Sequence, residues 1–361
     1  MKFIVFLLCS ILLCTGCDKD ETAKVYPERE KQLILSYALE DVSYRPFVEA
    51  MKVMSKELEN YSGGKITLVE QRHSQFSVNS ELMLETVMNT LDMCLVPVNQ
   101  LGSMTKGPLL VAVPYLMRPK VMERVMAPGS PLIKQILQDI PRLDTRLVGV
   151  DIWYGGYLQF LMRDHQVLSP ADLKDQHVWV CGMGPDNEFL LAMDAIPCEM
   201  SFTSGIYALR HGYLDGIMLP ISMIVSNRLY ENMHFLSITN HARMNYVLLF
   251  SLAVWDKLTQ KEQHWVHQAA KKAGMFVRDL TGELEEIDLS RLKHANFMRI
   301  VEPDPDLFAE KAKYVRNFYL KHLPVQAALM REITQEVMKH QAEQKAAEAA
   351  ATELRQISEM P

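Results

Sequence analysis

Between residues 32 and 98 the chain alternates strand-like and helix-like stretches, which narrows its folds more than any other feature. Gln32 to Ala38 is an apolar run of strand length, and Tyr44 to Tyr61 places Phe47, Met51, Met54 and Leu58 at helical spacing. Ser62-Gly63-Gly64-Lys65 ends that helix, and Ile66 to Glu70 reads as a second strand. A helix over Glu81 to Thr90 follows, then Leu91-Asp92-Met93 leads into a buried strand from Cys94 to Val98. Alternation of this kind predicts a sheet covered by helices on both faces, with a ligand crevice off the carboxyl ends of the strands. The Gly-Gly-Lys invites comparison with a phosphate-binding loop. Glu59, however, stands where that loop needs its first glycine, and the helix precedes the glycines where it should follow them, so the expectation is a helix cap.

A second stretch, Gly155 to Gly182, reads as a crossing into another lobe. Within it Ser169-Pro170-Ala171-Asp172-Leu173 opens a short helix with a hydroxyl cap, proline in the first turn and an acid near the positive end of the dipole. His177-Val178-Trp179-Val180 then forms a strand of β-branched and aromatic residues ending at Cys181-Gly182.

The N-terminal residues have a different character. Lys2 supplies a positive charge, Phe3 to Leu13 is apolar, and Cys14-Thr15-Gly16-Cys17 ends the segment. The apolar run is shorter than the ~20 residues needed to span a bilayer and has the layout of a signal peptide. Small residues directly before a cysteine resemble a lipobox, with Cys14 where an aliphatic residue is usual, and make Cys17 the expected lipidation site. Residues 18–30 are polar and read as a tether. Asp18 favours retention at the inner membrane, which gives a periplasmic, lipid-anchored location.

A formal charge of -6 with 23% charged residues argues against a nucleic-acid binder. Beyond the signal, Cys94, Cys181 and Cys198 have no metal-like spacing; buried free thiols, or one disulfide and a spare, fit them. His165, His211, His234 and His241 form no zinc pattern, and no Gly-x-Ser-x-Gly or His-Glu-x-x-His motif occurs. No catalysis, metal or cofactor is expected. The enzyme alternative would need Cys181 as nucleophile beside a histidine brought near by the fold.

Several spaced motifs together resemble the substrate-binding (P) subunits of TRAP transporters, the DctP family. They are ELENYSGGKITLV over residues 57–69, Pro114-Tyr115-Leu116, the Gly156-Tyr157 and Pro170, Asp172, Leu173, Lys174 positions, and ALRHGYLDG over residues 208–216. Thr239-Asn240-His241 and Ser251 to Leu258 agree with that family's return to its first lobe, so the resemblance runs from about residue 31 to about 335. It implies an α/β, two-lobed periplasmic-binding-protein-like fold. Lobe 1 would hold residues 31–155 and about 245–285, and lobe 2 residues 156–244 and about 286–336. It also implies a membrane permease as partner, powered by an ion gradient.

The resemblance breaks at the ligand positions. A family arginine falls on Trp179, an earlier one on Leu158 or Gln159, and the polar pair before Pro220 becomes Met218 and Leu219. These changes predict an apolar or amphipathic ligand, with Tyr154, Gln75 and Asn99 as further candidate contacts. The alternatives are a conventional organic-acid binder with a relocated arginine, for which Arg163, Arg118 and Arg243 are the candidates, and a sensor or scaffold that has lost transport. At the C-terminus, Pro324 can open a helix with Ala328-Leu329, Ile333 and Val337 as its apolar stripe. Residues 337–361 continue as helix formers with little to bury, either a solvated tail or a docking helix for a TPR-containing periplasmic subunit.

Overall fold

The computed structural model describes residues 32–39, 44–71, 81–116, 122–123, 125–127, 129–182, 184–295, 297–328, 330–331 and 335. Cys17, the tether, Gln75, Arg118 and the tail over 337–361 lie outside the described residues.

The opening alternation is realised as strand β1 (Leu33–Leu39), helix α1 (Arg45–Ser62), β2 (Ile66–Glu70), α2 (Glu81–Val87) and β3 (Met93–Pro97). Helix α1 has Pro46 in its first turn and buries Phe47, Met51, Met54 and Leu58 along one face. It ends at Gly63, whose φ of 62° is left-handed, and Gly64 N–H donates to the Glu59 carbonyl at 2.8 Å. The Gly-Gly-Lys is therefore a helix cap. Helix α2 stops short of the expected Thr90 because Asn89 turns to φ 63°.

The chain continues through α3 (Pro131–Gln138) into the long strand β4 (Leu147–Tyr157) and, after Leu158, β5 (Gln159–Met162). The Ser-Pro-Ala-Asp-Leu segment forms a single 3-10 turn, Pro170–Leu173, in which the Asp172 carboxylate accepts from Ser169 N–H at 2.8 Å and Leu168 N–H at 2.9 Å. Then come β6 (His177–Val180), α4 (Pro185–Leu191), β7 (Ile196–Glu199), α5 (Phe202–Arg210), β8 (Gly216–Leu219), α6 (Ile221–Ser226) and β9 (Phe235–Ser237). The chain returns through β10 (Arg243–Ser251), α7 (Gln260–Ala295), β11 (Arg299–Val301) and α8 (Pro305–His322).

Two sheets result, in the orders β2-β1-β3-β10-β4 and β11-β9-β5-β8-β6-β7. In the first, β1 is parallel to β2 and β3, while β10 runs antiparallel to β3 and β4. In the second, β6 is parallel to β7 and β8, and β5 is antiparallel to β8 and β9. Each sheet defines a lobe, and the chain passes between them three times. The outward pass at Leu158 and the return at Ala242 lie side by side, with Leu158 N–H donating to the Ala242 carbonyl at 2.9 Å and Arg243 opposite Tyr157. The third pass is α7, 36 residues long, which packs on α1, β4 and α6.

Where these passes converge, the Tyr44 hydroxyl lies 3.1 Å from the Gly155 carbonyl, 3.2 Å from Ser222 Oγ and 3.3 Å from Thr281 Oγ1. One buried aromatic residue thus ties α1 to the crossing strand and to both helices beyond it.

One apolar core runs from Phe47, Trp153 and Tyr246 into Phe160, Trp179 and Phe189 of the second lobe, and a separate one lies under the other face of the first sheet. That second core contains Cys94, Val96, Ile136 and Leu249, and it also takes in Val315, Tyr319 and Met330. Strand β11 pairs in the second sheet and Phe308 packs beside Phe160, but the later part of α8 packs on the first lobe.

Candidate functional site

The carboxyl ends of β3 and β6 meet at a cavity of about 20 Å³ between the lobes. Val98 and Asn99 line it from the first lobe, Val180, Cys181 and Asp186 from the second, and Leu158, Arg243 and Asn245 from the crossing strands. The lobes touch closely here. Asn99 Nδ2 donates to Asp186 Oδ2 at 2.5 Å, and Gly182, at φ 86°, carries its Cα so near Asn99 that an added Cβ would lie 3.1 Å from the Asn99 carbonyl oxygen. Only glycine combines that dihedral with that approach.

Trp179, Leu158, Met218 and Asn99 from the sequence reading do line this cavity. Trp179 nevertheless spends most of its surface inside the second lobe. It is 1% exposed, its indole N–H donates to the Met200 carbonyl at 3.0 Å, and its ring meets Phe202 edge-on at 5.8 Å. Gly205 of α5 makes room for it, since a Cβ there would sit 2.4 Å from Nε1.

Gln159, expected to offer hydrogen bonds to a ligand, is committed elsewhere. Its Nε2 donates to Asn240 Oδ1 at 2.7 Å and to the Tyr157 carbonyl at 3.1 Å, and its Oε1 accepts from the N–H groups of Thr239 and Asn240, each at 2.9 Å. It ties the outward crossing to the return. Leu219 is wholly buried opposite Gln159 in the second sheet. Tyr154 donates to Glu285 at 3.3 Å and lends its ring to a cation.

That cation is Arg243. Its guanidinium carbon lies 4.1 Å from the Tyr154 ring centroid and 5.9 Å from that of Tyr157. The residue is 5% exposed, yet its Nε and Nη1 have no hydrogen-bond acceptor. Burial lowers its pKa, opposed by the two tyrosines and Glu123. Arg243 also borders a larger cleft of about 520 Å³, formed with Tyr115, Tyr157, Asn240, His241, Pro305 and Arg316. Of the other arginine candidates, Arg163 donates to the Leu209 carbonyl within the second lobe and lines neither cavity.

Three carboxyls near the crossing escaped the sequence reading. Asp186 and Asp151 are buried and Glu285 is half-buried, and loss of solvent pushes each up to about 7, against the pull of their hydrogen bonds. Glu285 accepts from Tyr157 N–H at 3.2 Å, bracing the strand on which Arg243 pairs. Asp186 lies one residue into α4, where an acid is read as a dipole partner; nothing local announces its contact with Asn99, 87 residues away. His241 stacks on Phe160 at 4.7 Å, and burial pushes it down to about 3, so it is neutral. Among the described residues Cys94, Cys181 and Cys198 form no disulfide.

Residues 42–323 match the family described as bacterial extracellular solute-binding protein, family 7, DctP. The chain belongs to this family. Its members are solute-binding proteins, not enzymes. Among curated DctP relatives, the 2,3-diketo-L-gulonate-binding periplasmic protein YiaO of Escherichia coli is 25% identical over 50% of this chain and 56% of its own length. The sialic acid-binding periplasmic protein SiaP of Vibrio cholerae is 22% identical over 72% of this chain and 79% of its own length. The chain spans only a little over half the length of the first two curated relatives, at 58% and 56%. The fold is shared with a TRAP periplasmic solute-binding protein from Pseudomonas putida bound to D-glucuronate, with TM-score 0.76 and 23% identity over 84% of this chain and 97% of that one.

Proposed function

We propose that this protein captures a small organic acid between its lobes and passes it to a TRAP-type membrane permease, with Arg243 holding the ligand carboxylate. The observation that carries this reading is the buried guanidinium with Nε and Nη1 unpaired at the wall of both cavities. Burying a charge without a partner costs several kcal/mol. A carboxylate offers two acceptors in the geometry that a guanidinium fork matches. The named ligands of the relatives, diketogulonate, sialic acid and glucuronate, all carry a carboxylate.

The family arginine at the Trp179 position is thus replaced in function by one from the start of β10. The apolar-ligand reading rests on the indole and the aliphatic side chains of Leu158 and Met218. Against it stand the indole's bond to Met200 and the charged and amide groups along the same wall. Binding would draw the lobes together because the ligand touches both only in the shut form. Lipidation at Cys17, a periplasmic position at the inner membrane, and docking of a TPR-containing subunit on residues 337–361 belong to the same proposal.

Mild purification followed by extraction and mass spectrometry tests it. A co-purified carboxylic acid that Arg243→Met fails to retain is the expected result. A co-purified uncharged lipid-like molecule retained by that variant would sink the organic-acid reading and restore the apolar one.

A further inference from the structure

We infer that the ligand is a zwitterion, an amino acid whose ammonium group sits in the interlobe cavity against Asn99 and Asp186 while its carboxylate lies on Arg243. This rests on the reading of Arg243 as carboxylate partner and names the class of acid. Beside the donors Nε and Nη1 of Arg243, the cavity is lined by two buried residues with unpaired acceptors, Asn99 Oδ1 and Asp186 Oδ1. Asn99 is 7% exposed and Asp186 5%. Buried oxygens of this kind call for a donor.

A ligand that answers the whole wall therefore needs an acceptor end and a donor end. The donor end must be small, because about 20 Å³ admits little more than one water-sized group. An ammonium meets that limit and supplies three N–H donors, enough for both oxygens; a hydroxyl supplies one. Charge points the same way. Asp186 bonds Asn99 from the first lobe and lies within electrostatic reach of Tyr319 from α8. Among the described residues no cation forms an ion pair with its carboxyl, whose hydrogen-bond partner is the neutral Asn99 amide. An ammonium would supply that cation and displace the proton which burial favours. The remainder of the molecule has room in the 520 Å³ cleft that Arg243 also borders.

The test is isothermal titration of the full chain at pH 6.5 with matched pairs: alanine against lactate, aspartate against malate, glycine against glycolate. The expected result is that one amino acid binds about tenfold to a hundredfold tighter than its hydroxy partner, the range for a charge-assisted hydrogen bond. Asp186→Asn should lower amino-acid affinity by that factor and narrow the gap between each amino acid and its hydroxy partner, since only the ammonium loses a charged acceptor. Repeating the wild-type titration in buffers of different ionisation enthalpy counts protons and needs no variant. Release of a fraction of a proton with the amino acid, and none with its partner, is expected. Hydroxy acids or dicarboxylates that bind through Arg243 as tightly as the amino acids, with no proton released, would overturn the zwitterion and leave the organic-acid reading intact. Absence of binding by every carboxylate would remove both.

Discussion

Arg243→Met separates a binding arginine from a structural one, because the two roles predict opposite signs in the ligand-free protein. The guanidinium is 5% exposed, and its closest compensation is the Tyr154 ring at 4.1 Å. A desolvated cation–π contact returns about 2 kcal/mol, whereas an unpaired buried ion costs several. Methionine keeps the stem as far as the position of Nε, removes the ion and leaves an apolar chain on an aromatic face. The ligand-free variant should therefore be more stable than the parent by ~1–4 kcal/mol, the range seen when buried ionic groups become apolar. With an unfolding entropy of ~2.1 cal/mol/K per residue, that is a rise in melting temperature of roughly 2–6 °C. Ligand at a hundred times Kd should add ~2.7 kcal/mol to the parent. In the variant the uncompensated ligand carboxylate costs ~3–5 kcal/mol, a loss of about a hundredfold to a few thousandfold in affinity, so the same ligand concentration should add almost nothing. Differential scanning fluorimetry with and without the co-purified acid reads both quantities. A variant that melts lower than the parent yet keeps the ligand shift would show that Arg243 supports the crossing and does not bind, and the reasoning would fail.

Other consequences follow from the same contacts. Gly205→Ala should destabilise by ~1–3 kcal/mol in chemical denaturation because its methyl overlaps the Trp179 indole, and Trp179→Ala by ~3–5 kcal/mol; a neutral outcome for both would mean the indole is not packed in the lobe core. For Glu285, whose folded pKa of about 7 lies above the ordinary carboxylate value, the native state holds the proton more tightly than the unfolded one. Its share of the stability is therefore full below about pH 4, is lost as pH rises to about 7, and changes no further above that. Melting curves of Glu285→Gln should accordingly show a shallower fall with pH than the parent between those limits, and parallel curves would refute the assignment. Gln159→Leu removes three hydrogen bonds between the two crossings and a fourth within the outward one, and leaves the Thr239 and Asn240 amides unpaired, so amide exchange at both should quicken markedly. Unchanged protection would show that the crossings hold together without it.

The architecture was open to reading because its determinants are local. Phe47, Met51, Met54 and Leu58 mark a helix by spacing alone, and all four are buried in α1. Gly63 and Gly64 mark its end by the dihedral angles they permit, and the Asp172 bonds follow from an acid three residues after a cap serine. The extent of the second lobe was harder. Tyr319 and Val315 share the helix of Phe308, and which core each end meets depends on where α8 points after β11, a property no window of sequence contains.

The site was legible by absence and illegible by presence. That a tryptophan falls in the strand after the crossing could be counted along the chain; that the indole would turn to the Met200 carbonyl depends on Gly205, which lies on a different element. The buried guanidinium of Arg243 enters from β10, and it reaches the cleft because that strand pairs with the outward crossing at Tyr157 and because Tyr154 supplies a ring for the guanidinium to lie on. A single sequence can name Arg243 among its arginines but cannot rank it, since rank is set by burial without a partner, and burial is a sum over contacts from both lobes. The same holds for Asp186, whose neighbour Asn99 belongs to the other lobe. Trp179 and Arg243 lie 64 positions apart on different strands, and only the folded chain brings the indole and the buried guanidinium to the wall of one cavity.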